Sequence, residues 1–309
     1  MQTITPSTND VTDGLFFPEG PVWCDDGSVL VVELGGECVT RVAPDGTKSK
    51  VSDNGGSPNG QAIGPDGALY VCNSGGWDWV EIGPMRITGM NLPAHHSGGR
   101  IERVDLATGE VRVLYRECDG NPLIGPNDIV FDREGGMWFT DHGRHDGRVH
   151  HLGGVYYAQP DGSSIREVLF PLDAPNGIGL APDSSRLYVA ETHTGRVRVW
   201  DVTAPGQLDT SAIVPGPGGG LLHGFEGMQL LDSLGMDADG NVVVATLVTG
   251  AVSVIAPDGT LLEQWMTGDL MTTNVCFGGP DLKTAFVTCS ATGRLISFDY
   301  PRGGLPLNF

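Results

Sequence analysis

The sequence predicts an all-β protein: a six-bladed β-propeller with four antiparallel strands per blade, forming one domain over residues 1–309. Three observations predict it. The chain carries 47 Gly and 21 Pro, clustered as turn punctuation between short runs rich in Val, Ile, Leu, Tyr and Trp. No window sustains a 3.6-residue apolar period with caps across helix length. A short pattern returns six times, and recurrence at intervals of tens of residues marks a repeat architecture.

In the first copy, Glu19 of "FPEGPVW" is followed seven residues later by Asp26, then Gly27 and the strand "VLVV". The second runs from Asn59 to Asp66, Gly67 and "ALYV", the third from Asn127 to Glu134, Gly135 and "MWFT". Asn176 leads to Asp183 and "LYVA", Asp232 to Asp239, Gly240 and "VVVA", and Asn274 to Asp281 and "AFVT". An acidic residue followed by a small one is hairpin chemistry. The anchors are spaced by 40, 68, 49, 56 and 42 residues, room for four strands each. Further runs supply the outer strands: "GRIERVDL" and "EVRVLY", "GGVYYAQ" and "REVLF", "GRVRVWDV" and "SAIV". The last copy has little after "RLISFDY", so the N-terminal "MQTITP" run is expected to supply its outer strand and close the ring.

Each anchor opens the innermost strand of its blade, so one shared register gathers all six at one end of the central channel. That ring reads Glu19, Asn59, Asn127, Asn176, Asp232, Asn274. It offers two carboxylates and four carboxamides, with no imidazole or thiolate. Two negative charges buried close together are costly without compensation. A hard divalent cation offsets them, and carboxylate and amide oxygens are what Ca²⁺ accepts. The alternative is that Asn and Asp at strand starts merely bond backbone in the turns, which accounts less well for a Glu.

The second strand of each blade returns to the ring face, bringing Glu33, Asn73, Asp141, Glu191 and Thr246 there. Long loops follow. Residues 74–99 include Trp77, Trp79, Met85, Met90, His95 and His96; 142–152 include His142, His145, His150 and His151; 215–231 add His223 and Phe225. Loops on one face of a rigid scaffold usually carry specificity. The pocket candidates are accordingly Asn59, Asn274, Asp141, His142, Trp77, His223 and Phe225. The histidines read as pocket-lining and solvent-facing side chains, since sequence neighbours such as His150 and His151 rarely ligate one ion together.

A net charge of −20 without a basic cluster disfavours nucleic acid and anionic membranes as partners. No signal peptide is visible and no apolar run approaches the ~18 residues of a membrane span. The six cysteines show neither CxxC pairs nor zinc spacing. A reduced, cytoplasmic protein is expected, as monomer or homodimer.

The motifs "FPEGPVW", "GPNDIVFD", "WFTD", "PNGIGLAPD" and "GNVVVA" resemble the SMP-30/gluconolactonase/LRE-like family, six-bladed propellers with a metal in the channel. The resemblance spans nearly the whole chain. It implies that Glu19, Asn176 and Asp232 hold the metal and that Asn127 contacts metal or substrate. The implied ion is divalent, Ca²⁺ first, with Mg²⁺, Mn²⁺, Zn²⁺ or Fe²⁺ as alternatives. The implied activity is metal-dependent opening of a small-molecule lactone or ester, with Asn127 and Asp232 as catalytic residues and Asp232 as general base or nucleophile. The chain departs from the family where sugar-lactone members often carry Arg: here Gly125 precedes Asn127 by two. The fifth-blade motif reads "LDS" where "PDG" is frequent. These departures point to a less hydroxylated, more apolar lactone. The same constellation would also serve phosphotriester or phosphofluoridate hydrolysis, as in the related diisopropyl-fluorophosphatase, and a non-catalytic propeller with structural calcium is the rival from another class. No GxSxG motif supports a serine hydrolase.

Overall fold

The computed structural model describes residues 1–89, 91–211 and 217–309. Met90 and the "AIV" of "SAIV" fall outside them. The described chain has no helix and forms a six-bladed propeller of antiparallel sheets. Blade one is built from Pro18–Trp23, Val29–Glu33, Cys38–Val42 and Lys48–Asp53. Blade two comprises Pro58–Ile63, Leu69–Asn73, Arg100–Val104 and Val111–Tyr115, with the hairpin Trp79–Ile82/Met85–Thr88 inserted before its third strand. Blade three, Pro126–Phe131, Met137–Asp141, Gly153–Ala158 and Ile165–Leu172, carries the hairpin Arg144–Asp146/Val149–His151 at the same place. Blade four is Pro175–Leu180, Arg186–Glu191, Arg196–Ala204 and Gly220–Gly224. Blade five is Leu231–Met236, Val242–Thr246, Ala251–Ile255 and Leu261–Met266. Blade six runs Thr272–Gly278, Thr284–Cys289 and Arg294–Asp299.

The inner strands pack successively around the channel, and that of blade six meets that of blade one. Closure differs from the sequence expectation. The outer strand of blade six is Asn9–Thr12, antiparallel to Arg294–Asp299. The "MQTITP" run instead adds Gln2–Ile4 as a fifth, parallel strand on blade five. The N-terminal segment therefore ties two blades together.

Six apolar clusters fill the gaps between neighbouring blades. Leu30, Val32, Leu69 and Val71 join blades one and two; Tyr70, Ile101, Phe131 and Phe139 join two and three. Trp138, Tyr157, Leu187 and Trp200 follow, then Tyr188, Leu234 and Val242, then Val254, Trp265, Val287 and Phe298, and finally Leu15, Val29, Val42 and Leu295. Middle strands are thus covered on both faces. That is why "VLVV", "LYVC" and "VVVA" read as continuous apolar runs rather than alternating ones. Each fully buried Val or Leu adds about 1.5–3 kcal/mol.

The turn signal has a local cause. The residue eight past each anchor is left-handed in all six blades: Gly27, Gly67, Gly135, Ser184, Gly240 and Leu282, at φ of 81°, 73°, 85°, 60°, 80° and 54°. Asp26, Asp66, Asp183 and Asp281 accept the backbone N–H two residues on. In blades three and five that acceptor is instead Asp132 or Asp237, two residues earlier. The C-terminal tail crosses the channel end opposite the anchors. Leu305 N–H donates to Met236 O, Asn308 Nδ2 donates to Phe131 O, and Arg302 binds Asp237 and Glu263.

Candidate active site at the anchor end of the channel

Every inner strand carries a register shift beside its anchor: Glu19/Val22, Pro58/Gln61, Pro126/Ile129, Pro175/Ile178, Leu231/Leu234 and Thr272/Asn274. A bulge re-aims side chains and ends pairing. The residue after the anchor is Gly in blades one, two and four because the neighbouring inner strand passes there. A Cβ on Gly20 would lie 2.7 Å from Asn59 O, and one on Gly60 2.5 Å from Asn127 O. The bulged strands pack backbone to backbone, which holds the anchors close.

Glu19, Asn59, Asn127, Asn176 and Asn274 are buried, and Asp232 is half-buried. Their hydrogen bonds separate them into two groups. Asn274 is fully engaged: its Oδ1 accepts Val275 N–H at 2.7 Å and its Nδ2 donates to Glu19 Oε2 at 2.7 Å. Gly20 N–H also donates to Glu19 Oε2. Asn176 Nδ2 donates to Thr192 Oγ1 at 3.1 Å. By contrast Glu19 Oε1, Asn127 Oδ1 and Asn176 Oδ1 are buried acceptors without any donor among the described residues. Buried polar atoms are normally paired. Three unpaired oxygens at the inner-strand starts of blades one, three and four are the donor set a hard cation takes.

The electrostatics agree. Burial raises the Glu19 carboxyl, opposed by the Asn274 hydrogen bond. Burial and the charge of Glu19 push the Asp232 carboxyl well above its ordinary range. Asp128 is pushed up to about 7 by burial and then by Glu19. Asp128 was not among the expected site residues, yet its carboxylate shares this enclosure. Its sequence signal is the "PND" of blade three, where two other copies read "PNG".

The remaining candidates fare differently. Asn59 lies in the ring, and two residues on, Gln61 Nε2 donates to Gly20 O at 2.8 Å. The Asp141 carboxylate accepts Ile124, Gly125 and Gly143 N–H at 2.7–2.9 Å, so it holds the loop entering blade three. His142 is half-buried beside His193, with its imidazole lowered to about 3 by burial and then by Arg144. His223 sits on the outer strand of blade four, with Nδ1 against Gly259 O, and Phe225 packs edge-on to it over the cluster between blades four and five. Both therefore lie at the outer edge of blade four rather than in a free loop beside the ring.

Trp77 is half-buried, its indole N–H unpartnered, and Arg144 stacks over its ring. Arg144 is a residue the sequence reading missed. Its guanidinium is buried and pushed down to about 9 by that burial; Nη2 donates to Ser74 O, while Nε and Nη1 have no acceptor among the described residues. A Cβ on Gly125 would lie 3.1 Å from Arg144 Nε. Arg144, from the hairpin of blade three, thus packs against the backbone of Gly125.

A family model described as the SMP-30/gluconolactonase/LRE-like region matches residues 17–291. A lactonase drp35 of Staphylococcus saprophyticus is 28% identical over 248 residues, 80% of this chain and 68% of its own length. A gluconolactonase of Zymomonas mobilis is 25% identical, with 91% of this chain and 78% of that protein covered. Among solved structures, a calcium-binding regucalcin of Agrobacterium tumefaciens superposes with a TM-score of 0.76 at 16% identity, covering 100% of this chain and 99% of that one. A gluconolactonase of Xanthomonas campestris gives 0.74 at 23% identity, covering 95% and 89%. At these identities the two structures speak for the fold alone.

Proposed function

Since the chain belongs to the SMP-30/gluconolactonase/LRE-like family, we propose that it hydrolyses a lactone or related ester at the anchor end of the channel. Glu19, Asn127, Asn176 and Asp232 would hold a divalent cation there, Ca²⁺ being the best match to an all-oxygen set. The observation that carries this reading is the trio of buried, donorless oxygens on Glu19, Asn127 and Asn176, beside the half-buried Asp232. Such a cation, when bound, polarises an ester carbonyl and stabilises the oxyanion that develops on it.

The chain's own groups divide the remaining work. Asp232 is the less buried of the two ring carboxylates, so it takes a proton from the attacking water or attacks the carbonyl itself. Burial and Glu19 raise its basicity, which offsets the lowering a cation exerts. Asn274 and Gly20 fix Glu19 Oε2 and thereby aim Oε1 inward. Arg144 and Trp77 present an unpaired guanidinium on an aromatic face, which suits a lactone with one polar substituent and one apolar side. That refines the expectation of a less hydroxylated, more apolar lactone, which rested in part on Gly125.

The test is hydrolysis of a lactone panel followed by proton release, from sugar lactones to alkyl and aromatic ones. It is run after EDTA and after restoring Ca²⁺, Mg²⁺, Mn²⁺ or Zn²⁺. Activity should vanish with EDTA, return with one ion, and fall by roughly 10²–10⁴-fold in Asp232→Asn. A bound, stabilising ion with no activity on any lactone sinks the proposal.

A further inference from the structure

Three histidines outside the central ring meet at the rim of its mouth, where the hairpin of blade three lies beside blade four. His145 and His150 are directly opposed across the hairpin Arg144–Asp146/Val149–His151, with ring centroids 4.2 Å apart. His193, in the loop after Arg186–Glu191, brings its ring to 5.5 Å and 5.6 Å from theirs. One ring nitrogen from each lies within 4.8 Å of the other two. Zn–N bonds of about 2.0–2.1 Å hold tetrahedral nitrogens roughly 3.3–3.5 Å apart, so modest rotations of the half-buried His145 and His150 and the exposed His193 close the set.

Two further features make this more than a chance gathering. Asp173 Oδ1 lies 2.9 Å from His193 Nδ1 and 3.9 Å from His150 Nε2. A carboxylate held against one ring nitrogen orients an imidazole whose other nitrogen binds a metal. The hairpin is also anchored: His145 O accepts Leu92 N–H at 2.7 Å, and Asn91 bridges to His145.

We propose that His145, His150 and His193 form a second cation site, selective for transition ions of the Zn²⁺ class, that clips the hairpin of blade three to the rim of blade four. Its nitrogen donors contrast with the oxygen ring in the channel, so hard and soft ions sort between the two. The site stands whether or not the central ring hydrolyses lactones.

The experiment titrates metal-free protein with Zn²⁺ in excess Ca²⁺, and uses Co²⁺ as a spectroscopic probe. Wild type should take up one equivalent of Zn²⁺ more than His145→Gln, His150→Gln or His193→Gln. Its Co²⁺ complex should show visible absorption that each of the three loses. His151→Gln, altering the adjacent imidazole outside the cluster, should keep both. Asp173→Asn should keep the stoichiometry and lose roughly 10–100-fold in affinity. Equal Zn²⁺ uptake by wild type and the three variants overturns the proposal, as does equal loss in His151→Gln. Three separate substitutions keep the test decisive should one of them fail to fold.

Discussion

Asn274 Nδ2 donates to Glu19 Oε2 at 2.7 Å, joining residues 255 positions apart across the seam where blade six meets blade one. The bond occupies one Glu19 oxygen and leaves Oε1 donorless, so the closure of the propeller and the preparation of its candidate cation site are one contact. Replacing Asn274 by Leu frees Glu19 to turn. Ca²⁺ affinity, measured by calorimetry, should fall roughly 10–100-fold. An unchanged affinity would remove Asn274 from the supporting role.

Burial raises the carboxyls of both Glu19 and Asp232, and the charge of Glu19 raises Asp232 further. Glu19→Gln removes one of the two charges. In EDTA this variant should melt above wild type by roughly 1–4 °C. Added Ca²⁺ should stabilise wild type alone. A variant that melts lower in EDTA and still gains from Ca²⁺ would show that the ring is not a charge-strained cation site.

Arg144 is buried with two N–H groups unpaired and Trp77 beneath it. Arg144→Met keeps much of the packing and removes the donors. For the best lactone of the panel, KM should rise about tenfold or more, with kcat changed less, as expected when a binding donor is lost. Steady-state kinetics decide, and an unchanged KM would confine Arg144 to structure.

The C-terminal clasp predicts an acid-dependent loss of stability. The Arg302 hydrogen bond holds the Glu263 carboxyl below its ordinary value. A carboxyl depressed on folding stabilises above its unfolded pKa of about 4.3 and stops doing so as pH falls through its folded value. Arg302→Gln should cost about 1–3 kcal/mol at pH 7, because Arg302 also donates to the buried Asp237. The gap to wild type should narrow below pH ~4. Denaturant melts across that range test it; a gap that widens on acidification contradicts the linkage.

The sequence made the repeat legible because its signals are local. The left-handed residue eight past each anchor, the acidic turn acceptor and the continuous apolar run all arise within a dozen residues of one another. Short-range rules therefore read them six times over. The same register gathered the six anchors at one end of the channel and gave Glu19, Asn127 and Asn176 their shared address.

What only the tertiary structure decided was which atom faces which. Asn274 and Asn176 carry the same sequence signal, yet one spends its carboxamide on Glu19 and Val275 while the other leaves Oδ1 donorless. Asp128 joins the enclosure because a bulge turns its strand. Asn9–Thr12, rather than "MQTITP", completes blade six by pairing with a strand edge made at the other end of the chain. Arg144 fills the space beside Gly125, and His193 joins His145 and His150, through contacts between blades or inserted hairpins that no repeat encodes. Turn chemistry and apolar burial act over a few residues and can be read along the chain. Side-chain direction in a propeller depends on the neighbouring blade, which sequence spacing does not specify.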